Sequence, residues 1–176
     1  MVNYFELYDL PVSFHPDQAK VKAKFYELSR ANHPDRFTLA DGDKQAEVLQ
    51  MSSANNQAYK TLKDPYATMA YVLKLHNILE DEEKYNLPPA FLMEMMDLNE
   101  TLSDFEMDPR QTNLYESAAQ MLADNLSVWE AQVQPLTEKF DNGDHSEALL
   151  MQTKEQYFRK KYLLRIQERM NSFATR

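Results

Sequence analysis

The chain has 176 residues, 43% apolar and 27% charged, enough for one ordinary globular domain or two small ones. It has two glycines, Gly42 and Gly143, where average usage would give about twelve, and no cysteine. Glycine-dependent hairpins, phosphate-cradling loops and Rossmann fingerprints are thereby nearly excluded, and disulfides, cysteine-ligated zinc, iron–sulfur ligation and thiol catalysis are ruled out.

The net charge of −9 argues against nonspecific nucleic-acid binding. It is also unevenly placed. Residues 1–76 carry nine basic and nine acidic side chains, residues 77–176 ten and nineteen. This asymmetry suggests two modules with different partners. Met1-Val2-Asn3-Tyr4-Phe5-Glu6 lacks the basic-then-apolar order of a signal peptide, and no apolar run approaches the roughly twenty residues of a membrane span. A cytoplasmic protein without membrane or nucleic-acid partners is expected.

Prolines and glycines punctuate the chain, and nearly every stretch between them has the helical period. Asn3 to Leu10 is a short apolar helix stopped by Pro11. Asp17 is a good N-cap for a helix to Asn32 carrying Val21, Phe25 and Leu28. His33-Pro34 ends it. Gly42-Asp43 opens a helix to Leu62, with Ala46, Leu49, Ser53, Asn56, Ala58, Tyr59 and Leu62 at helical spacing. Asp64-Pro65 starts a fourth, which carries Met69, Tyr71, Val72 and Leu75. Residues 77–88 read as an acidic linker closed by Pro88-Pro89. Three helices follow, over 89–107, 111–141 and 144–174. The second has a bundle seam of Leu122, Leu126, Trp129, Val133, Leu136 and Phe140, with Pro135 expected to kink or interrupt it. Gly143 reads as a C-cap. The fold class expected is all-α: four helices, a linker, then a three-helix bundle.

The four histidines, His15, His33, His76 and His145, are not paired at helical spacing, no serine sits in a nucleophile elbow, and no calcium-loop pattern occurs. No metal, no cofactor and no enzymatic activity are expected. His-Pro-Asp occurs twice. In the first copy the proline keeps His15 extended and Asp17 caps the following helix, which accounts for it locally. The second, His33-Pro34-Asp35, follows the basic segment Lys20 to Arg30 and stands between two long helices.

The order of basic helix with Phe25-Tyr26-Glu27-Leu28, then His33-Pro34-Asp35, then Ala58-Tyr59-x-x-Leu62-x-Asp64-Pro65 resembles a J-domain, the module that engages Hsp70 chaperones, over residues 1–76. No Gly/Phe-rich or Cys-rich region follows. Instead Ala70-Tyr71-Val72-Leu73 and Ala90-Phe91-Leu92-Met93-Glu94-x-x-Asp97-Leu98-x-Glu100 extend the resemblance over the whole chain to the HscB (Hsc20) family, J-type co-chaperones of iron–sulfur cluster assembly. Arg36, Met69, Met96 and Asp97 stand where that family commonly has Lys, Arg, Leu and Glu. The absence of the Cys-rich amino-terminal extension frequent in eukaryotic relatives implies a bacterial form.

The resemblance implies domains at 1–76 (J-domain), 77–88 (linker) and 89–176 (client-binding bundle). It assigns His33, Pro34 and Asp35 to stimulation of an HscA-type Hsp70. Lys20, Lys24, Arg30 and Arg36 would add a positive face, since residues 20–36 hold five basic side chains against two acidic ones. On the helix from Pro89, Phe91, Met95, Leu98, Leu102 and Phe105 form a core stripe. Leu92, Met93 and Met96 lie off it beside Asp97, Glu100 and Asp104, an apolar patch rimmed by carboxylates. Tyr157 falls outside the stripe of Phe158, Tyr162, Ile166, Met170 and Phe173 and belongs with that surface. The resemblance implies that the patch docks the cluster scaffold protein IscU. The alternatives are a general J-protein holdase and a helical adaptor that stimulates no Hsp70.

Overall fold

A computed structural model describes residues 2–174. The elements are α1 (Tyr4–Leu7), α2 (Gln18–Ala31), a 3₁₀ turn (Pro34–Phe37), α3 (Gly42–Leu62), α4 (Pro65–Leu75), α5 (Pro89–Glu94), α6 (Met96–Met107), α7 (Thr112–Asp141) and α8 (Glu147–Ala174). Among the described residues there is no strand, and no helix is long and apolar enough to cross a membrane. The chain divides into two compact units. One runs to Asn77 and includes Phe140–Gly143; the other holds Ile78–Lys139 and the residues from Asp144 onward.

In the first unit the caps follow the sequence. Asp17 accepts from the amides of Ala19 and Lys20, and Asp64 from that of Ala67. The first helix is shorter than expected: Asp9 turns the chain at φ +54°, and the Leu10 amide reaches back to the Phe5 carbonyl at 2.9 Å. On α3 the buried residues are Val48, Asn55, Ala58 and Leu62. Leu49, expected at helical spacing with the core, is 64% exposed. One step round a helix is about 100°, so the inward face falls on the neighbouring residue. Phe25 of α2 stacks on Tyr59 of α3 with ring centroids 4.1 Å apart, and Tyr4 stacks on Tyr71 of α4 at 4.5 Å. Met69 is buried on α4 along with Val72 and Leu73.

In the second unit Phe91, Met95, Leu98 and Leu102 pack with Ala118 and Leu122 of α7 and with Leu163, Ile166 and Met170 of α8. The helix expected over 89–107 is divided at Met95. The Asn99 side chain donates to the Met95 carbonyl at 2.8 Å, beside the ordinary backbone bond to the same oxygen. By contrast α7 is not interrupted at Pro135, which forfeits only the bond to the Ala131 carbonyl. Gly143 closes that helix at φ +106°, a region glycine enters freely.

Segment 78–88 is fastened to this unit. Leu79 is buried, and Leu87 lies against the core. The Lys154 ammonium donates to the Ile78 carbonyl at 2.8 Å and pairs with the Glu83 carboxylate, and Tyr85 stacks almost parallel on Phe158 at 4.5 Å. The ammonium beside Glu83 holds its carboxyl below the usual carboxylate range.

Candidate functional site: an exposed His-Pro-Asp turn and an acid-rimmed methionine patch

The second tripeptide is solvent-facing. His33 caps the 3₁₀ turn: the Asp35 amide donates to its Nδ1 at 3.3 Å, and the Arg36 amide donates to its carbonyl at 3.0 Å. Pro34 sits at the first position of the turn and fixes φ there. The Asp35 carboxylate stands 3.7 Å from His33 Nδ1, beyond hydrogen-bond reach, and its side chain is 86% exposed. Two bonds and a proline ring therefore fix the backbone from which the exposed Asp35 carboxylate projects, so the turn has little backbone freedom to lose on docking.

Arg30 and Arg36 are exposed beside this turn, and Lys20 is exposed at the far end of α2, in its first turn. The Arg36 guanidinium donates to the Arg30 carbonyl at 2.7 Å, which satisfies one of the open carbonyls at the end of α2. Lys24 differs. It pairs with Asp9 at 2.7 Å and Glu27 at 3.2 Å, and the hydrogen bond it donates to Asp9, then that to Glu27, raises its pKa. Its charge is thus spent inside the unit. The first tripeptide is also engaged within its own unit: His15 Nδ1 lies 2.8 Å from Asp141, and Asp17 is occupied as a cap.

Sequence reasoning missed two features behind the turn. Asn55, only 2% exposed, donates to the Phe25 carbonyl (3.1 Å) and the Ser29 hydroxyl (3.0 Å) and accepts from the Tyr8 hydroxyl (2.8 Å). This network ties α2 to α3, and burial pushes the Tyr8 phenol well above its ordinary value. Beside the turn, Pro34, Phe37, Val48 and Leu49 line a hollow of about 350 Å³. An asparagine in a helix gives no signal of burial. The hollow needs residues of two elements to be brought together.

On α5 and α6 the stripe from Phe91 to Phe105 is buried throughout. Leu92, Met93 and Met96 are 41%, 69% and 52% exposed. Asp97, Glu100 and Asp104 are exposed beside them, and among the described residues no cation lies within ion-pairing distance of their carboxylates. Contiguous open apolar surface rimmed by polar residues is what interaction sites present. Tyr157 is half-buried and packs edge-on against Phe158 at 5.2 Å. Among the described residues no three His, Asp or Glu side chains are grouped as a metal ion would require.

Residues 87–171 match the family described as the HSCB C-terminal oligomerisation domain. The chain is 35% identical over 114 residues to the co-chaperone protein HscB of Proteus mirabilis, a stretch covering 64% of this chain and 66% of that one. It is 39% identical over 102 residues to the HscB homolog of Vibrio cholerae, covering 57% and 60%. The matched stretches thus span just under two thirds of the length of these relatives. Among solved structures, chaperone HscB from Vibrio cholerae superposes with a TM-score of 0.80 at 27% identity, over 98% of both chains. Human co-chaperone HscB superposes with a TM-score of 0.74 at 26% identity, over 99% of this chain and 83% of the other. This whole-chain likeness, added to the motifs and the divided helical architecture, makes the chain similar to the HscB family along its whole length.

Proposed function

We propose that this protein is a J-type co-chaperone of iron–sulfur cluster assembly in the bacterial cytoplasm, non-enzymatic itself. Its J-domain, residues 1–76, presents His33-Pro34-Asp35 to an HscA-type Hsp70 and stimulates ATP hydrolysis there. Its carboxyl-terminal bundle holds the scaffold IscU on Leu92, Met93, Met96, Asp97, Glu100 and Asp104, with Tyr157 at the margin. The observation that carries this reading is the pairing, in one chain similar to the HscB family, of an outward carboxylate on a rigid turn with an open, acid-rimmed methionine patch.

The chemistry supports each role. An exposed carboxylate on a fixed backbone suits bidentate capture by an arginine of the Hsp70, a charge-assisted contact. Lys20, Arg30 and Arg36 set the rate of encounter with an acidic partner face. Methionines adapt to an apolar partner surface, while the carboxylates orient it. Holding both partners on one chain raises the concentration of client beside the Hsp70.

Calorimetric titration of IscU into the Met93→Ala/Met96→Ala variant tests the scaffold half. We expect affinity to fall about tenfold or more, as for anchor residues at an interface core, with Hsp70 stimulation in the absence of IscU unchanged. Unchanged affinity removes the patch from the scaffold-binding role. A chain that binds unfolded polypeptides as readily as IscU is instead a general holdase.

A further inference from the structure

Alongside α8, segment 82–87 encloses a cleft of about 460 Å³, entirely within the second unit. Its apolar walls are Tyr85 and Phe158, stacked at 4.5 Å, and Tyr162, whose hydroxyl accepts from the Asn99 side chain at 2.9 Å. Its cations are Lys84, Lys161 and Arg165.

What sets these cations apart is that they are unspent. Elsewhere in the unit Arg110, Lys154, Arg159 and Arg169 each hold a carboxylate, and Lys160 lies over the Trp129 ring. Among the described residues no carboxylate lies within ion-pairing distance of Lys84, Lys161 or Arg165, although residues 77–176 carry nineteen acidic side chains. Lys161 lies over the Phe158 ring, 5.7 Å from its centroid, farther than Lys160 from the Trp129 ring at 4.4 Å. Of the two carboxylates at the cleft, Glu83 is neutralised by Lys154, which leaves Glu82 against three cations.

We propose that this cleft docks an acidic peptide segment of a partner protein, one that places an apolar side chain between carboxylates. The aromatic walls take the apolar side chain, and Lys84, Lys161 and Arg165 take the carboxylates at the rim. Charge complementarity selects the occupant. A nucleic-acid backbone carries a charge at every step and would set phosphates beyond the cleft against Glu82 and the surrounding acidic surface, whereas a short peptide places only the few carboxylates that the three cations receive. This inference is independent of the scaffold-binding patch on α5 and α6.

The test is fluorescence anisotropy of the full chain with a short labelled peptide alternating glutamate with leucine and phenylalanine. We expect saturable binding that weakens with added salt. Lys161→Glu/Arg165→Glu should weaken it about tenfold, ~1.4 kcal/mol, while Met93→Ala/Met96→Ala leaves it unchanged. Lys84→Glu, at an exposed position, should weaken it too and keeps the test open if the double variant does not fold. No saturable binding overturns the proposal. So does equal binding by the lysine analogue of the peptide, equal binding by single-stranded RNA, indifference to the charge reversals, or a loss in the methionine variant.

Discussion

Asn55 shows how one side chain sets the geometry of a distant loop. Its amide joins Phe25 and Ser29 of α2 to α3 and receives the Tyr8 hydroxyl, so α2 enters the His33 turn at a fixed angle. Asn55→Ala would take this partner from the part-buried Phe25 carbonyl and Ser29 hydroxyl and from the buried Tyr8 hydroxyl, which keeps the Asn55 backbone carbonyl, a cost of about 1–3 kcal/mol. We predict a fall in Tm of roughly 2–4 °C per kcal/mol for a chain of this size. Thermal unfolding followed by circular dichroism checks it, and a variant as stable as the native chain would show that the network contributes nothing. The sequence displayed the turn itself, because histidine, proline and aspartate are read locally. It did not display Asn55, whose partners lie 26 and 47 residues away, nor the neutralisation of Lys24 by Asp9. Both depend on chain segments meeting in space.

Helices were legible where hydrophobic period and caps agreed. Asp17, Asp64 and Gly143 mark ends that the fold uses, and the Phe91 to Phe105 stripe is buried along its whole length. The division at Met95 was not legible, since the apolar period runs through it unbroken and the helical backbone bonds on either side are kept. The fastening of segment 78–88 was hidden for a similar reason: its acidic composition reads as linker, but Lys154, 71 residues beyond Glu83, anchors it. Two predictions belong here. Leu98→Ala, at a position 1% exposed in the bundle core, should cost about 2–5 kcal/mol in urea unfolding. A cost near zero would mean that α6 does not depend on that stripe. Lys154→Met should remove the acid sensitivity that Glu83 confers. Because the folded-state pKa of Glu83 is depressed, its contribution is present above the usual carboxylate range, about 4.3 for glutamate, and is lost as pH falls below it. In the variant the stability–pH curve should be flatter on its acid limb; an unchanged limb would mean that the pair is not coupled to folding.

At the scale of the whole molecule, charge and exposed chemistry are segregated. The first unit carries an outward aspartate and open cations, and residues 77–176 carry the net charge of −9 and the methionine patch. Neither feature adds to the core that folds its unit, and both leave surface ready for a partner. The copy of the tripeptide at His15 is the internal control, because its histidine faces Asp141 and its aspartate is a cap. The most direct measurement is single-turnover ATP hydrolysis by the matched HscA-type Hsp70, with and without IscU, in the presence of the native chain, His15→Gln or His33→Gln. The account predicts acceleration by the native chain and by His15→Gln, a further increase with IscU, and neither effect with His33→Gln. Acceleration by His33→Gln equal to that of the native chain, or no acceleration by any of the three while IscU still binds, would contradict it.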